Sequence, residues 1–272
     1  MRRVPKTLVL GGIITAIMVG AALLSRFWTP ADPTGMNIMA RLKAPGEAGL
    51  LGTDQIGRDV LSIIMSGAWT SLGIASTATF IGGGIGTVFG VVAAAKGGWV
   101  ERLVMTVNGV LFAFPPILSA ILLGALLGPG AVTSMVAIGV FMIPVFARVT
   151  RAAAIQIWAR DYVKAARMAG KDDALITLEH VLPNISAQLI VQLAIQTGLG
   201  ILSEAGLSFL GMGVSPPAPS WGRMLSESQT YLSSAPHLVL APGLAIAITV
   251  LGLNLLGDGL RDLTYPRRRQ TT

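Results

Sequence analysis

Long apolar stretches separated by short charged segments dominate this chain. A helix that crosses a membrane needs about 20 consecutive, mostly apolar residues. The predicted spans are residues 7–28, 72–95, 103–126, 131–147, 187–210 and 238–256. The uncharged run between Arg102 and Arg148 is too long for one crossing, and the Gly-Pro-Gly turn at residues 128–130 divides it. The pattern therefore predicts an all-α membrane bundle of six transmembrane helices.

Local signals refine these spans. The first apolar stretch is longer than the roughly 7–15 residues typical of a signal peptide, so we expect an uncleaved helix. Residues 60–71 are also uncharged, and we expect them to approach the membrane along its interface before the second span begins. Pro115, Pro116 and Pro144 lie inside spans, where proline removes a backbone donor and bends a helix.

The composition argues against a soluble enzyme. Charged residues make up 12% of the chain, against about 25% in soluble domains, and the mean hydropathy is +0.70. Cysteine is absent from the sequence, which excludes thiol catalysis, disulfides and thiolate metal sites. The two histidines, His180 and His237, are too few for a histidine-rich metal cage. We therefore expect no catalytic residue and no metal site in this chain.

The formal charge of +7 is explained by membrane topology. Lys and Arg accumulate in the cytoplasmic loops of membrane proteins. With a cytoplasmic N-terminus and six spans, 15 of the 20 Lys and Arg residues fall on the cytoplasmic side. We therefore predict a multi-pass protein with both termini in the cytoplasm, and the basic charge requires no nucleic-acid partner.

Small and acidic residues inside the spans indicate packing or function. Gly82, Gly86 and Gly90 are four residues apart, so they share a helix face that a neighbouring backbone can approach closely. The spacing fits a tight seam in a transporter and also fits ordinary membrane packing. Glu204 is an acid deep in an apolar stretch, where an unpaired charge is costly. It is a candidate for a translocation path, with a structural hydrogen bond or an interfacial position as alternatives.

Residues 160–184 form a long, charged connection between the fourth and fifth spans. Its alanines favour a first helix, and Gly170 can supply the left-handed turn that ends it. Asp172 or Asp173 can cap a second helix, which we expect Pro183 to close. Two short helices with an apolar stripe and charged margins fit a docking surface. A solvated connecting loop is the alternative.

This connection resembles the EAA loop of ATP-binding-cassette (ABC) importer permeases. That motif reads Glu-Ala-Ala, three residues, Gly, nine residues, Ile, one residue and Leu-Pro. The matching positions are Ala165, Ala166, Gly170, Leu182 and Pro183. Lys164 stands in place of the glutamate and His180 in place of the isoleucine. Both departures are similar to the dipeptide/oligopeptide/nickel branch of these permeases.

Other segments are similar to the same branch and occur in the same order. They are residues 51–59, 207–222 and 254–262. The resemblance implies a type I ABC importer permease fold. Residues 1–68 would hold the N-terminus, the first helix and an extracytoplasmic loop, and residues 69–260 the permease core. The core contains the ATPase-coupling loop at residues 160–184, and a basic tail follows at residues 261–272.

The resemblance also implies partners in a bacterial inner membrane. The chain has no Gly-x-x-x-x-Gly-Lys-Ser/Thr phosphate loop, so ATP hydrolysis requires another chain. The expected complex has a homologous second permease, two ATPase subunits that bind ATP and Mg²⁺, and an extracytoplasmic solute-binding protein, all in contact with membrane lipid. The expected cargo is a dipeptide or oligopeptide, with nickel or a metallophore as the alternative. A secondary transporter or channel fits the hydropathy, but proton-coupled carriers usually bury several ionisable residues.

Asp54 and Asp59 flank Arg58 ahead of the second span. Two carboxylates this close could bind a cation. Beside an arginine, we expect a local ion pair or a helix cap instead.

Overall fold

The computed structural model describes residues 4–264, apart from the side chain of Pro116, and this part of the chain is almost entirely helical. Its α-helices are α1 (Lys6–Leu24), α2 (Val60–Lys96), α3 (Gly98–Ala113), α4 (Pro116–Leu127), α5 (Ala131–Trp158), α6 (Asp161–Met168), α7 (Asp173–Ile176), α8 (Leu182–Phe209), α9 (Trp221–Ser228) and α10 (His237–Thr264). A π-helical turn, Thr177–Val181, joins α7 to α8. Arg2, Arg3 and residues 267–269, which contribute to the predicted charge bias, lie outside the described residues.

Among the described residues, five helical segments are long and apolar enough to cross a membrane. They contain α1, α2, α5, α8 and α10, and the segment with α8 begins at Asp173. α3 and α4 pass the same test only as a pair, with an 84° bend between them. The pair is either a sixth, broken span or a re-entrant segment. The prediction of an all-α membrane bundle is confirmed, with six spans if the bent pair counts as one.

The predicted span over residues 103–126 is broken into two helices, because α3 ends at Ala113 and α4 starts afresh. Phe114 has an extended backbone, with ψ of 125°. A residue before proline is disfavoured from helical geometry by the proline ring. Pro115 is extended as well and stands at the cap of α4. The Pro115–Pro116 pair therefore bends the segment far more than a single proline kink would.

Residues 60–71 form the first turns of the same helix as the second predicted span, because α2 starts at Val60 and is 37 residues long. Their predicted place along the membrane interface stays a prediction. The Asp59 carboxylate accepts a hydrogen bond from the Ser62 backbone N–H at 2.8 Å and so caps the helix. Val60, Ala68 and Ser71 are buried against other helices. An uncharged run gives no sign of where its helix begins, whereas the cap does.

Pro183 does not close a helix, contrary to the prediction. The chain stays helical from Asp173 to Phe209, through the π-helical turn and into α8. Pro183 lies in the first turn of α8, where its missing N–H costs least. The π-helical turn directly before it changes the hydrogen-bonding register of the backbone. A helix can therefore pass this proline without ending.

Glycine contacts hold the long helices together. A side chain at Gly82, Gly86 or Gly90 of α2 would overlap the backbone or Cβ atoms of α5. In the same way, Gly11 of α1 lies against the backbone of α10, and Gly259 of α10 lies against Leu8 of α1. Small residues let helices approach in a bilayer, where the hydrophobic effect gives no force between them. These seams place α2 beside α5 and α1 beside α10.

Candidate functional site

The connection between α5 and α8 folds as two short helices around Gly170. Gly170 has φ of +86°, a left-handed conformation that favours glycine. Its N–H donates to the Arg167 carbonyl at 3.0 Å, and the Lys171 N–H donates to the Ala166 carbonyl at 3.2 Å, which closes the end of α6. The Asp172 carboxylate then accepts from the Leu175 N–H at 2.7 Å and caps α7. The predicted helix–glycine–helix arrangement is confirmed.

This loop is packed onto the ends of the long helices. Val163 of α6, Ile176 of α7 and Val181 of the π-helical turn are almost fully buried. They pack in one cluster with residues from α2, α5 and α8, which are Val91, Ala153, Ala154 and Ile185. A rigid cluster of this kind passes displacement on, because packed interiors deform little. A solvated, independent loop does not fit these contacts.

Ion pairs tie the loop together. Asp173 at the start of α7 accepts from Arg167 of α6 at 2.8 Å and lies 3.5 Å from the ammonium group of Lys96, at the end of α2. Lys171 pairs with Glu179 across the π-helical turn. The Arg167 guanidinium also lies 5.1 Å above the ring of Trp158, the last residue of α5. Asp173 therefore joins α6, α7 and α2 at one point.

The outer surface of the loop is apolar and exposed. Met168 is 90% exposed and Leu178 is 64% exposed, while Leu175 and Tyr162 are also open. These side chains lie beside the charged residues at the edges of the loop. Apolar side chains rimmed by charge are typical of a protein-binding surface. We name the surface formed by Tyr162, Met168, Leu175 and Leu178 the loop surface.

The structure divides the residues of the predicted coupling motif between two sides of the loop. Lys164, Ala165, Gly170 and Pro183 are exposed, whereas Ala166, His180 and Leu182 are half-buried. The Lys164 ammonium pairs with Asp161 within α6 at 3.0 Å. The His180 ring meets Tyr162 edge-on, with 5.9 Å between ring centroids. Ala166 and Leu182 pack on the buried cluster beneath the loop.

Sequence reasoning missed Met168, Trp158 and the Asp173–Lys96 contact. Met168 stands two residues before Gly170, and its neighbours in sequence are mostly charged or small, so no periodicity marks it as exposed. Lys96 and Asp173 are far apart in sequence, and only the fold brings them to 3.5 Å. The clustering of charge at residues 160–173 was the available signal that ion pairs would form there.

Glu204 lies apart from the loop, near the opposite end of α8. It is completely buried, and its Oε1 accepts a hydrogen bond from the Ser208 hydroxyl at 2.6 Å. The hydroxyl groups of Ser71 and Ser220 are further polar neighbours of the carboxyl group. The place of Glu204 in a translocation path stays a prediction.

The two aspartates of the loop before α2 act locally. Asp54 pairs with Arg58 at 2.6 Å, and Asp59 caps α2. The predicted ion pair and cap are confirmed. Within residues 4–264, no group of three or more His, Asp and Glu side chains is arranged to hold a metal ion.

Comparison with known proteins identifies the family. Residues 86–270 match the model of the binding-protein-dependent transport system inner membrane component family. The glutathione transport system permease protein GsiD of Pectobacterium atrosepticum is 38% identical over 260 residues, covering 95% of this chain and 86% of that protein. GsiD of Escherichia coli O6:K15:H31 is 39% identical over 256 residues, covering 94% and 84%.

Solved structures show the same fold. An inward-facing structure of the MetNI methionine ABC transporter superposes with a TM-score of 0.62 at 19% identity, and covers 73% of this chain and 94% of the solved chain. A second crystal form of that transporter gives a TM-score of 0.63 at 18% identity. The chain therefore belongs to the binding-protein-dependent transport system inner membrane component family, as a permease subunit of an ABC importer with the type I fold.

Proposed function

We propose that this permease moves small peptides, glutathione among them, inward across the membrane, and that the loop at residues 160–184 couples this movement to ATP hydrolysis on partner subunits. The loop surface carries the coupling proposal, because it is exposed and apolar, while the buried side of the same loop packs directly onto α2, α5 and α8. The relatives carry the substrate proposal. They are described as glutathione transport permeases, and glutathione is a small peptide. The same relatives favour peptide over nickel as the cargo.

The proposed complex contains this chain, a homologous second permease, two ATPase subunits that bind ATP and Mg²⁺, and an extracytoplasmic solute-binding protein. We assign residues 69–260 to the permease core and residues 1–68 to the first helix and the extracytoplasmic loop. Both termini face the cytoplasm in this proposal, which puts residues 160–184 on the side where ATP is available. The family and fold support an assembly of this kind.

Coupling in this proposal is a difference in binding free energy between two states of the bundle. ATP can shift the bundle only if the ATP-bound partners dock more favourably onto one state than onto the other. Gly170 sets the angle between α6 and α7, and Asp173 links both helices to α2. Lys164, Ala165 and Gly170 face outward, towards the proposed ATPase. Ala166, His180, Leu182 and Pro183 connect this surface to α8.

Uptake measurements with Gly170→Pro test the coupling role. Proline holds φ near −65° and has no N–H, so it is incompatible with φ of +86° and with the bond to the Arg167 carbonyl. We expect uptake of labelled glutathione and of a labelled dipeptide to fall about tenfold or more, since a loss of about 1.4 kcal/mol in coupling changes an equilibrium tenfold. The membrane level of the variant is measured in parallel.

Gly46→Pro is the matched control. Gly46 has φ of +88°, its N–H donates to the Gly49 carbonyl at 3.0 Å, and no side-chain or backbone atom stands within 4 Å of a Cβ there. Gly170 has the same open surroundings. If both variants lose uptake equally, the defect is general and the coupling role is wrong. Rescue of nickel uptake by the wild type, without peptide uptake, would instead reject the peptide substrate.

A further inference from the structure

α8 connects the coupling loop to the other end of the bundle. Helix continues from Asp173 to Phe209 over 37 residues, which corresponds to about 55 Å at 1.5 Å per residue. Its first turns belong to the coupling loop, and Glu204 stands near its last turn. A continuous helix moves largely as one body. A rigid movement of this helix would therefore carry a displacement of α7 to the surroundings of Glu204.

Glu204 faces the place where α9 meets α2 and α8. Glu204, Ser71 and Ser220 are all completely buried. Ser220 caps α9 by accepting from the Arg223 N–H at 3.3 Å, and Ser71 of α2 accepts from the Trp221 N–H at 3.2 Å. The hydroxyl groups of both serines are neighbours of the Glu204 carboxyl group. Oε2 of this group makes no hydrogen bond of good geometry within residues 4–264.

α9 also touches α8 directly beside Glu204. A side chain at Gly222 would overlap the backbone of Ala205, so the two helices are in close contact. At its C-terminal end, α8 is followed by a turn that Ser208 holds, because its hydroxyl donates to Glu204 and accepts from the Val214 N–H at 3.2 Å. Trp221 is fully buried and donates from Nε1 to the Ile64 carbonyl at 3.0 Å. The beginning of α9 is therefore fixed to α8 and α2 beside the Glu204 carboxyl group.

The outer side of α9 is joined to the loop before α2 by ion pairs. Glu227 accepts from Arg223 at 2.6 Å, and Arg58 lies 3.5 Å from the same carboxylate. Arg58 in turn pairs with Asp54. A shift of α9 therefore moves a charged network that belongs to the extracytoplasmic loop.

We propose that Glu204 is a positioning residue that fastens α9 to α8, so that movement of the coupling loop displaces α9 at the extracytoplasmic end of the bundle. The carboxyl group acts through its hydrogen bond to Ser208 and its burial beside Ser71 and Ser220, and has no contact with cargo in this role. The proposal rests on the coupling function proposed above. It adds the residue at which α8 transmits its displacement.

Cysteine labelling of α9 tests this proposal, because the natural chain has no cysteine. Ser228 is 5% exposed and lies at the end of α9, outside the Glu204 cluster. Ser228→Cys is introduced into the purified complex with its partner subunits in lipid nanodiscs. The rate of maleimide labelling is measured without nucleotide and with ATP plus vanadate. Basal ATP hydrolysis and uptake are measured on the same variants.

With Glu204 intact, we expect the labelling rate without nucleotide and the rate with ATP plus vanadate to differ about fivefold or more. A difference of this size is expected when one or two of the hydrogen bonds that hold α9 break. In Glu204→Leu, we expect equal rates in the two conditions, with basal ATP hydrolysis retained and uptake lost. Glu204→Gln keeps the size and a carbonyl oxygen for Ser208, so we expect it to keep most of the difference. Gln192→Leu, a polar-to-leucine change elsewhere on α8, is the control and should behave as wild type.

Two results would overturn the proposal. One is a nucleotide-dependent difference in Glu204→Leu as large as in wild type, and the other is no difference in wild type. If Glu204→Leu does not assemble, Ser208→Ala removes the hydroxyl that bonds to Oε1, and an unchanged difference in that variant has the same meaning. Failure of the coupling function itself is separate, because it would appear as full uptake by Gly170→Pro.

Discussion

At the residue scale, Asp54 shows how one buried carboxylate organises a loop. The residue is 5% exposed, and its Oδ1 accepts from the backbone N–H groups of Ile56 at 3.0 Å and Arg58 at 2.8 Å. Its Oδ2 accepts from the Arg58 side chain at 2.6 Å. The ion pair was predictable, because Asp54 and Arg58 are only four residues apart and their side chains can reach each other in a tight turn. The burial was not predictable, because α9 supplies part of the cover through Glu227.

Asp54→Ala is expected to destabilise the protein by about 1–3 kcal/mol, because it leaves two part-buried N–H donors and a guanidinium without their acceptor. The measurement is the thermal unfolding midpoint of the purified complex in detergent. Glu47→Ala is the control, since Glu47 is exposed and its ammonium partner Lys43 is 4.0 Å away. An exposed pair of this kind contributes about 0–1 kcal/mol. Equal midpoints for the two variants would contradict the role of Asp54.

At the element scale, the seam between α2 and α5 depends on glycines, whose lack of a side chain lets the two helices approach closely. The four-residue spacing of Gly82, Gly86 and Gly90 is visible in the sequence, but the identity of the opposing helix is not. The structure places α5 there, with Ile143 and Phe146 against Gly86. Gly84, on the same helix, faces away and is exposed.

Gly86→Leu is expected to cost about 1–3 kcal/mol or more through overpacking, because its Cβ would overlap the Ile143 carbonyl and lie 2.8 Å from the Phe146 Cβ. The expected result is a lower amount of folded protein in the membrane and a lower unfolding midpoint. Gly84→Leu makes the same chemical change where nothing stands within 4 Å, and we expect it to be tolerated. A tolerated Gly86→Leu would show that α2 and α5 do not pack this closely.

Some helix ends could be predicted from the sequence and others could not. Gly170 and Asp172 lie where their chemistry predicted, because a left-handed turn and a cap are local features. The start of α2 and the passage through Pro183 were mispredicted. Hydropathy reports which residues avoid water, and it does not report where backbone hydrogen bonding starts. The π-helical turn before Pro183 is a feature of backbone geometry that no side-chain pattern marks.

At the scale of the whole molecule, the proposed orientation puts the loop surface in the cytoplasm and the segment before α2 outside. Met168 and Met39 are 90% and 91% exposed, so a reagent on the same side of the membrane as either residue can reach it equally well. In a chain without cysteine, each can be replaced singly and labelled. These residues form a matched pair for a topology test.

We expect a membrane-impermeant maleimide to label Met39→Cys in spheroplasts and to label Met168→Cys only after the membrane is opened. The reason is the charge bias of the loops, since each additional Lys or Arg favours retention in the cytoplasm. Both variants are labelled in detergent to show that each thiol is reactive. The reverse pattern in spheroplasts would invert the topology and place the proposed coupling loop on the side of the membrane that lacks ATP.

The sequence by itself determined that this is a membrane protein with several apolar helices, a charged loop with a glycine bend between two short helices, and no thiol chemistry. These are properties of composition and of residues within one or two helical turns of each other, so they can be read along the chain. The tertiary structure decided which helices pair, how the loop is clamped onto α2 and α5, and what surrounds Glu204. Those features depend on contacts such as that between Ser71 and Trp221, which are 150 residues apart and meet only when the helices pack.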